Sequence, residues 1–319
     1  MPIPSLADIN AARSRIAGRV HVTPAVSSRI LGEQCGIASL WLKCEAFQKT
    51  GSFKVRGALN AISQLDAAAR ARGVVTVSAG NHAQAVAWAA GSLGVRATVV
   101  MPATASKTKV AASQAYGAEV ILHGTGADAF ARAHALADEK GYVFLHPFDD
   151  QRVIAGAASC GLEILEQAPD VEIVVVPIGG GGLIAGIAAG IRQVKPSVRI
   201  VGVEPDGADS MYRSLKAGRA LRMESPPATI ADGLAAPMAG EVCFNIVRQL
   251  VEEVVLVSDG EMAEAVSLIL TRAKILAEPA GAAATAALLS GRIPAARGRR
   301  VVSVVSGGNV DLDRLKALI

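Results

Sequence analysis

Short runs of β-branched residues alternate with longer alanine-rich stretches through most of this 319-residue chain, and that alternation restricts the folds open to it. The runs Val74–Ser78, Ala97–Met101, Val120–Leu122, Glu172–Pro177, Ile200–Val203, Val254–Val257 and Val301–Val305 are largely apolar, as strands covered on both faces are. Between them, Ala83–Leu93, Lys107–Ala115, Asp128–Glu139, Leu183–Val194 and Met262–Leu276 have helical spacing. Repeated β-α-β order predicts an α/β protein with mostly parallel sheets and right-handed crossovers. Hydrophobic residues make up 51% of the chain but aromatics only 3%, so small and branched side chains must fill the core. Ser5 is placed to cap a helix running to about Ile16.

The units fall into two groups, one from about residue 66 to 149 and a second from Gln151 onward. No Ser/Gly linker, low-complexity segment or internal repeat separates them. Little chain follows the last predicted strand, so no appended regulatory domain is expected. Only 19% of residues are charged, which excludes a disordered chain. The net charge of +4 is spread out, and the basic runs Arg70–Arg72 and Arg297–Arg300 are short and lack interleaved aromatics. A solvated surface, with no nucleic-acid partner, is expected. Cys35, Cys44, Cys160 and Cys243 show no C-x-x-C spacing and read as reduced, buried thiols. The start, MPIPSLADIN, has no signal-peptide layout, and the apolar runs are too short or too broken to span a bilayer. A cytoplasmic protein without a membrane partner is expected.

Four segments can carry chemistry. In Thr50-Gly51-Ser52-Phe53-Lys54-Val55-Arg56-Gly57-Ala58, Ser52 is a plausible N-cap that puts Lys54 in the first helical turn. The positive end of the helix dipole disfavours a cation there; with partial burial it lowers the amine pKa, as Schiff-base chemistry requires. A lysine at a helix start is by itself ordinary. The turn Ser78-Ala79-Gly80-Asn81-His82 follows a strand and feeds a helix, exposing backbone N–H groups suited to a carboxylate. Pro177-Ile178-Gly179-Gly180-Gly181-Gly182-Leu183 occupies the same kind of place. Four glycines let the backbone wrap an anion at a helix N-terminus, and a phosphate fits best. The spacing matches neither a dinucleotide fingerprint nor a P-loop. Ser306-Gly307-Gly308-Asn309 after the last strand is a turn signal, and Glu278 can sit at a helix start.

Together and in this order, the four segments resemble the fold type II enzymes that use pyridoxal 5'-phosphate, and within them the serine/threonine dehydratase and serine racemase family. The resemblance runs from the helix at Ser5 to Asn309. It implies two three-layer αβα domains, a large one from 1–65 and 150–319 and a small inserted one from 66–149, with the cofactor between them. It implies a Schiff base from Lys54, a place for Phe53 beside the cofactor, Asn81 on the ring hydroxyl, Gly179, Gly180, Gly181, Gly182 and Leu183 on the phosphate, and Ser306 at the ring nitrogen. Ser78, Ala79, Gly80, Asn81 and His82 would grip the substrate carboxylate. The implied activity is elimination of water and ammonia from L-threonine or L-serine, in a homodimer or homotetramer.

Within the family, racemases similar to this chain carry a serine where it has Ala79, and an asparagine where it has Phe148. Both differences favour dehydration. A divalent cation such as Mg2+ is held in related racemases by a glutamate, a carbonyl and an aspartate. Glu204 and Ala208 match the first two, but Ser210 stands at the aspartate position, which leaves Asp209 or water to complete such a site. Alternatives are a hydroxyaspartate dehydratase, for which Gly124–Ala131 offers no arginine, and a racemase. A β-replacement enzyme would more usually have threonine at His82. A non-catalytic protein binding a phosphorylated small molecule is the remaining alternative.

Overall fold

The computed structural model describes residues 2–319. Ten strands form two sheets: β1 (Ala25–Ser27), β2 (Ser39–Cys44), β3 (Val74–Val77), β4 (Ala97–Met101), β5 (Glu119–Leu122), β6 (Val143–Phe144), β7 (Ile173–Pro177), β8 (Arg199–Pro205), β9 (Glu253–Val257) and β10 (Arg300–Val305). The larger sheet has the order β1-β2-β10-β7-β8-β9 and the smaller β5-β4-β3-β6. Every pairing is parallel except β1 with β2, as the β-α-β order predicts.

Both sheets are covered on both faces. On one side of the larger sheet lie the helices Asp259–Leu268 and Pro279–Leu289, which pack on each other and on β7 to β10. On the other lie Gln151–Gln167, Gly182–Val194 and Glu241–Leu250. Residues Pro279 to Leu288 are all buried, because alanine lets a helix enclosed on every side approach its neighbours. The smaller sheet has Asn81–Ser92 on one face and Gly126–Lys140 on the other. Ser5 caps Leu6–Ile16 through a reciprocal bond with Asp8. Among the described residues no helix is long and apolar enough to cross a membrane.

Three strands escape the sequence reading. β1 and β6 are three and two residues long, below what alternation can signal. β2 carries Lys43, which is fully buried, in a run otherwise fit for a covered strand. The helix expected over Met262–Leu276 instead starts at Asp259, ends at Leu268, and continues as a π-turn to Ala273. Lys274 then takes a left-handed conformation (φ 62°), a backbone state that apolar spacing does not encode.

Candidate active site

Lys54 is the first residue of the helix Lys54–Ser63, of which Val55 to Ile62 are all buried. That helix crosses Gln151–Gln167 so closely that a Cβ on Gly156 would lie 2.4 Å from the Arg56 carbonyl oxygen, so the amine's base is held rigidly. Ser52 does not cap this helix through its side chain, contrary to expectation. Its backbone is extended (φ −161°) and bridges to Gly307, while its buried hydroxyl has no partner. The Phe53 N–H donates to the Ser306 carbonyl (3.1 Å), fastening the start of the helix to the turn after β10.

The Lys54 side chain enters a cleft of about 1340 Å³. Its Nζ donates to the Pro147 carbonyl at 2.9 Å and lies 5.1 Å from the centre of the Phe53 ring. Burial pushes its pKa down to about 8, against an opposing pull from the Cys243 thiol and the Glu278 carboxyl. A substantial neutral fraction near pH 8 follows, which is what a nucleophilic amine requires.

Gly179 to Gly182 connect β7 to the helix Gly182–Val194. Gly181 is left-handed (φ 102°), and a Cβ there would lie 2.8 Å from Cys243 Cβ and from Met211 Cε. A Cβ on Gly180 would meet the Phe148 ring at 2.4 Å. The N–H groups of Gly179, Gly180 and Gly181 have no protein acceptor among the described residues, and those of Gly182, Leu183 and Ile184 belong to the free first turn. Six successive donors at a helix N-terminus fit a phosphate dianion.

In the turn Ser78–His82 the N–H groups of Ala79, Asn81 and His82 have no protein acceptor among the described residues, while that of Ser78 donates to the Val100 carbonyl (3.2 Å). Ser78 Oγ accepts from Gly80 N (3.1 Å), and Gly80 precedes the helix Asn81–Ser92, whose first-turn N–H groups line the cleft. Asn81 is engaged at both ends. Its Nδ2 donates to Glu278 Oε1 (2.6 Å) and its Oδ1 accepts from Asn309 Nδ2 (2.8 Å). His82 is 3% exposed with both ring nitrogens unpartnered, and burial drives its pKa well below the ordinary value. Ser306 is buried and donates weakly to the Ala280 carbonyl (3.4 Å). Phe53, Lys54, Ser78 to His82, Gly179 to Leu183 and Ser306 all line this one cleft. Residues from near the two ends of the chain are thus brought together.

The cleft also holds groups that the sequence reading leaves unassigned or names only in passing. Glu278 caps the start of Pro279–Leu289 without a side-chain cap bond, and burial pushes its carboxyl up to about 7 despite the Asn81 bond. His146 and Phe148 line the wall beside Lys54. Asp149 ties their segment to the larger sheet's side, accepting the N–H groups of Glu241, Val242 and Cys243 at 2.9–3.1 Å. The signal in the sequence is the run His146-Pro147-Phe148-Asp149-Asp150 itself, whose likeness to dehydratases gives no role to each residue.

Glu204, Ala208 and Ser210 lie apart from the cleft lining. Glu204 is fully buried, and its two oxygens accept the N–H groups of Met211 (2.9 Å) and Tyr212 (2.8 Å) at the start of Ser210–Ala217. Burial pushes its carboxyl up to about 8. Each Glu204 oxygen thus accepts one N–H of the helix start, and Ser210 Oγ has no partner. Among the described residues no three His, Cys, Asp or Glu side chains gather as a metal set.

The family described as pyridoxal-phosphate dependent enzyme matches residues 16–307, and the chain belongs to it. It is 45% identical over 316 residues to an L-threonine ammonia-lyase of Thermotoga maritima, covering 99% of this chain and 78% of that protein. It is 43% identical over 313 residues to the catabolic L-threonine dehydratase of Escherichia coli K12, covering 98% and 94%. Among solved structures, maize serine racemase superposes with a TM-score of 0.95 at 39% identity, covering 99% and 97%. The T.th. threonine deaminase does so at 0.91 and 45%, covering 97% and 99%. The fold is that of the fold type II enzymes. The buried amine of depressed pKa and the six free N–H groups suit the aldehyde and phosphate of pyridoxal phosphate, so the residues present fit the family's cofactor.

Proposed function

We propose that this chain is a carbon–oxygen lyase that converts L-threonine, L-serine or both to the 2-oxo acid and ammonia. One observation carries the reading most directly: an amine with a pKa near 8 stands in a cleft that also presents two sets of free N–H groups at helix starts. One set suits a phosphate and the other an α-carboxylate. The relatives named for threonine dehydration support the choice of substrate.

Bound pyridoxal phosphate supplies an aldehyde that captures amines and a conjugated ring that takes up the electron pair left by a departing α-proton. Gly179 to Gly182 and Leu183 would hold its phosphate through their N–H groups, Asn81 would contact its ring hydroxyl, and Phe53 would pack beside it. The Ser306 hydroxyl would meet the ring nitrogen without protonating it. The N–H groups of Asn81 and His82 hold the substrate carboxylate, and the turn from Ser78 through Gly80 positions them. The Lys54 amine, in its neutral form, would remove the α-proton as a general base. Over the whole reaction the β-hydroxyl leaves as water, a water enters, and L-threonine becomes 2-oxobutyrate and ammonia. Ala79 has no transferable proton, so no acid stands at its position on the cleft wall, and elimination is favoured over racemisation.

The same reading treats residues 1–65 with 150–319 as one body holding the cofactor and 66–149 as a second body facing it. It extends by likeness to a cytoplasmic homodimer or homotetramer. The experiment is to incubate holoenzyme with L-threonine, L-serine and 3-hydroxyaspartate separately, with magnesium and with chelator, and to assay oxo acid. Expected is oxo acid from threonine or serine. Oxo acid from hydroxyaspartate alone, product only when sulfide is added, or no turnover at all would each reject the reading.

A further inference from the structure

The wall of the cleft beside Lys54 contains one polar group whose state the surrounding backbone dictates. His146 follows β6. Its Nδ1 accepts the N–H of Asp149 at 2.8 Å and of Phe148 at 3.3 Å. A nitrogen that accepts two N–H bonds carries no proton, so the neutral ring must carry its proton on Nε2. Burial pushes the ring's pKa down to about 4, outweighing Asp149 and Asp150, which favour the charged form; Lys54 and His134 act with burial. The ring is therefore neutral at working pH.

Its orientation is held as firmly as its tautomer. The Phe148 ring meets it edge-on (4.6 Å, 88°), and Phe130 and Phe144 lie at 6.1 and 6.2 Å, each at 73°. The next residue, Pro147, accepts the Lys54 amine through its carbonyl, which places the imidazole next to the reacting amine. Nε2 has no protein partner among the described residues, and the ring lines the cleft. The Phe130 and Phe148 rings that flank it on the cleft wall are apolar.

We propose that the Nε2–H of His146 is a specificity-determining donor that receives the β-hydroxyl oxygen of the substrate. The inference rests on the dehydratase reading and adds the residue that recognises the side chain. With the α-carbon at Lys54 and the carboxylate at the Asn81 turn, the β-substituent meets the remaining wall, where the Nε2–H of His146 is an open donor one residue from the carbonyl that holds the amine. A neutral imidazole N–H is too weak an acid to surrender its proton at neutral pH. His146 therefore selects and orients the hydroxyl, and the proton that leaves with it as water comes from elsewhere. A donor in an apolar wall also discriminates against side chains that cannot accept, because its own hydrogen bond is then lost.

The test compares L-serine with β-chloro-L-alanine, whose chloride leaves without accepting such a bond. In holoenzyme carrying His146→Phe, the ratio of kcat/KM for serine to that for chloroalanine should fall about tenfold, the worth of one hydrogen bond. His146→Gln keeps an N–H donor and should restore part of the ratio. A purely structural histidine would lower both substrates alike, and an unchanged ratio in both variants overturns the proposal. A second readout needs no turnover: nitrogen NMR of wild-type histidines, with the His146 signal assigned by its loss in His146→Gln. A neutral Nε2–H ring from about pH 6 to about pH 8 is expected; an Nδ1–H or doubly protonated ring overturns the proposal. If wild-type enzyme gives oxo acid from chloroalanine but from neither serine nor threonine, the dehydratase reading fails and His146 loses its ligand with it. That outcome is distinct from an unchanged ratio in an active dehydratase.

Discussion

Two cations two residues apart on one helix meet opposite fates. The Arg56 guanidinium, fully buried, is bonded all round. Its Nε and Nη2 grip the Glu45 carboxylate at 2.7 and 2.8 Å, and its Nη1 and Nη2 grip Glu163 at 2.6 and 2.8 Å. Nη1 also meets Ser159 Oγ at 3.1 Å. Lys43, equally buried, donates to Glu163, the Thr23 carbonyl and Gln167 at 2.6 to 3.0 Å. Burial opposes the ionisation of Glu45, but Arg56 outweighs it and holds that carboxyl below its ordinary value. Two positive and two negative charges balance in this cluster, and it joins β2 to the helices Lys54–Ser63 and Gln151–Gln167. Lys54, by contrast, has one carbonyl partner and no carboxylate, and the cleft around it contains the unpartnered His82 nitrogens and the open glycine-loop N–H groups. Polar groups satisfied by the protein hold the fold, and those left open along the cleft are available to a ligand.

The largest test of this contrast is Lys54→Ala. Turnover should fall by at least about 10³-fold, while the urea midpoint stays level or rises, because an amine that burial penalises is gone. Near-normal turnover, or a collapsed fold, would erase the distinction between the two cations. Next comes Arg56→Met, which leaves Glu45 and part of Glu163 buried without their partner. It should cost roughly 3–5 kcal/mol in urea unfolding. A neutral result would mean that the cluster does not hold the helix.

The smallest effect sharpens the contrast among carboxylates. Glu45 has a guanidinium, whereas Glu278 has only an amide, and its folded pKa of about 7 exceeds the ordinary 4.5. The folded state therefore binds more protons than the unfolded chain between those values. The Glu278 contribution is fully present below about pH 4.5 and is lost as pH rises through about 7. It amounts to on the order of 3 kcal/mol. Wild-type stability measured relative to Glu278→Gln should decline across that window, and a flat difference would show that Glu278 is charged in the fold.

The cleft is more legible in the sequence than the cluster. Lys54, the Ser78–His82 turn, the four glycines and Ser306 each follow a strand or open a helix, and local spacing reveals such places. Lys43, Glu45, Arg56 and Glu163 show no spacing of that kind. They come from a strand, a short turn and two helices up to 120 positions apart, and each alone reads as a surface charge. His146 is hidden for a different reason. Its tautomer depends on the main-chain N–H groups of its own loop, and its exposure to the cleft depends on how β6 is placed. The expected Ser52 cap and the unbroken helix to Leu276 go astray where pairing with Gly307 and a left-handed Lys274 override local preference.

The order of apolar runs by itself determined a parallel α/β protein, because a covered strand must be apolar throughout and a crossover helix must follow it. Glycine and small polar residues at the strand ends determined where anions can be held, since only those residues free the backbone N–H groups. Which charges neutralise one another and which stay open to a ligand was decided by tertiary structure alone. That choice depends on distance and desolvation between residues far apart in the chain, and neither quantity exists until the helices have crossed.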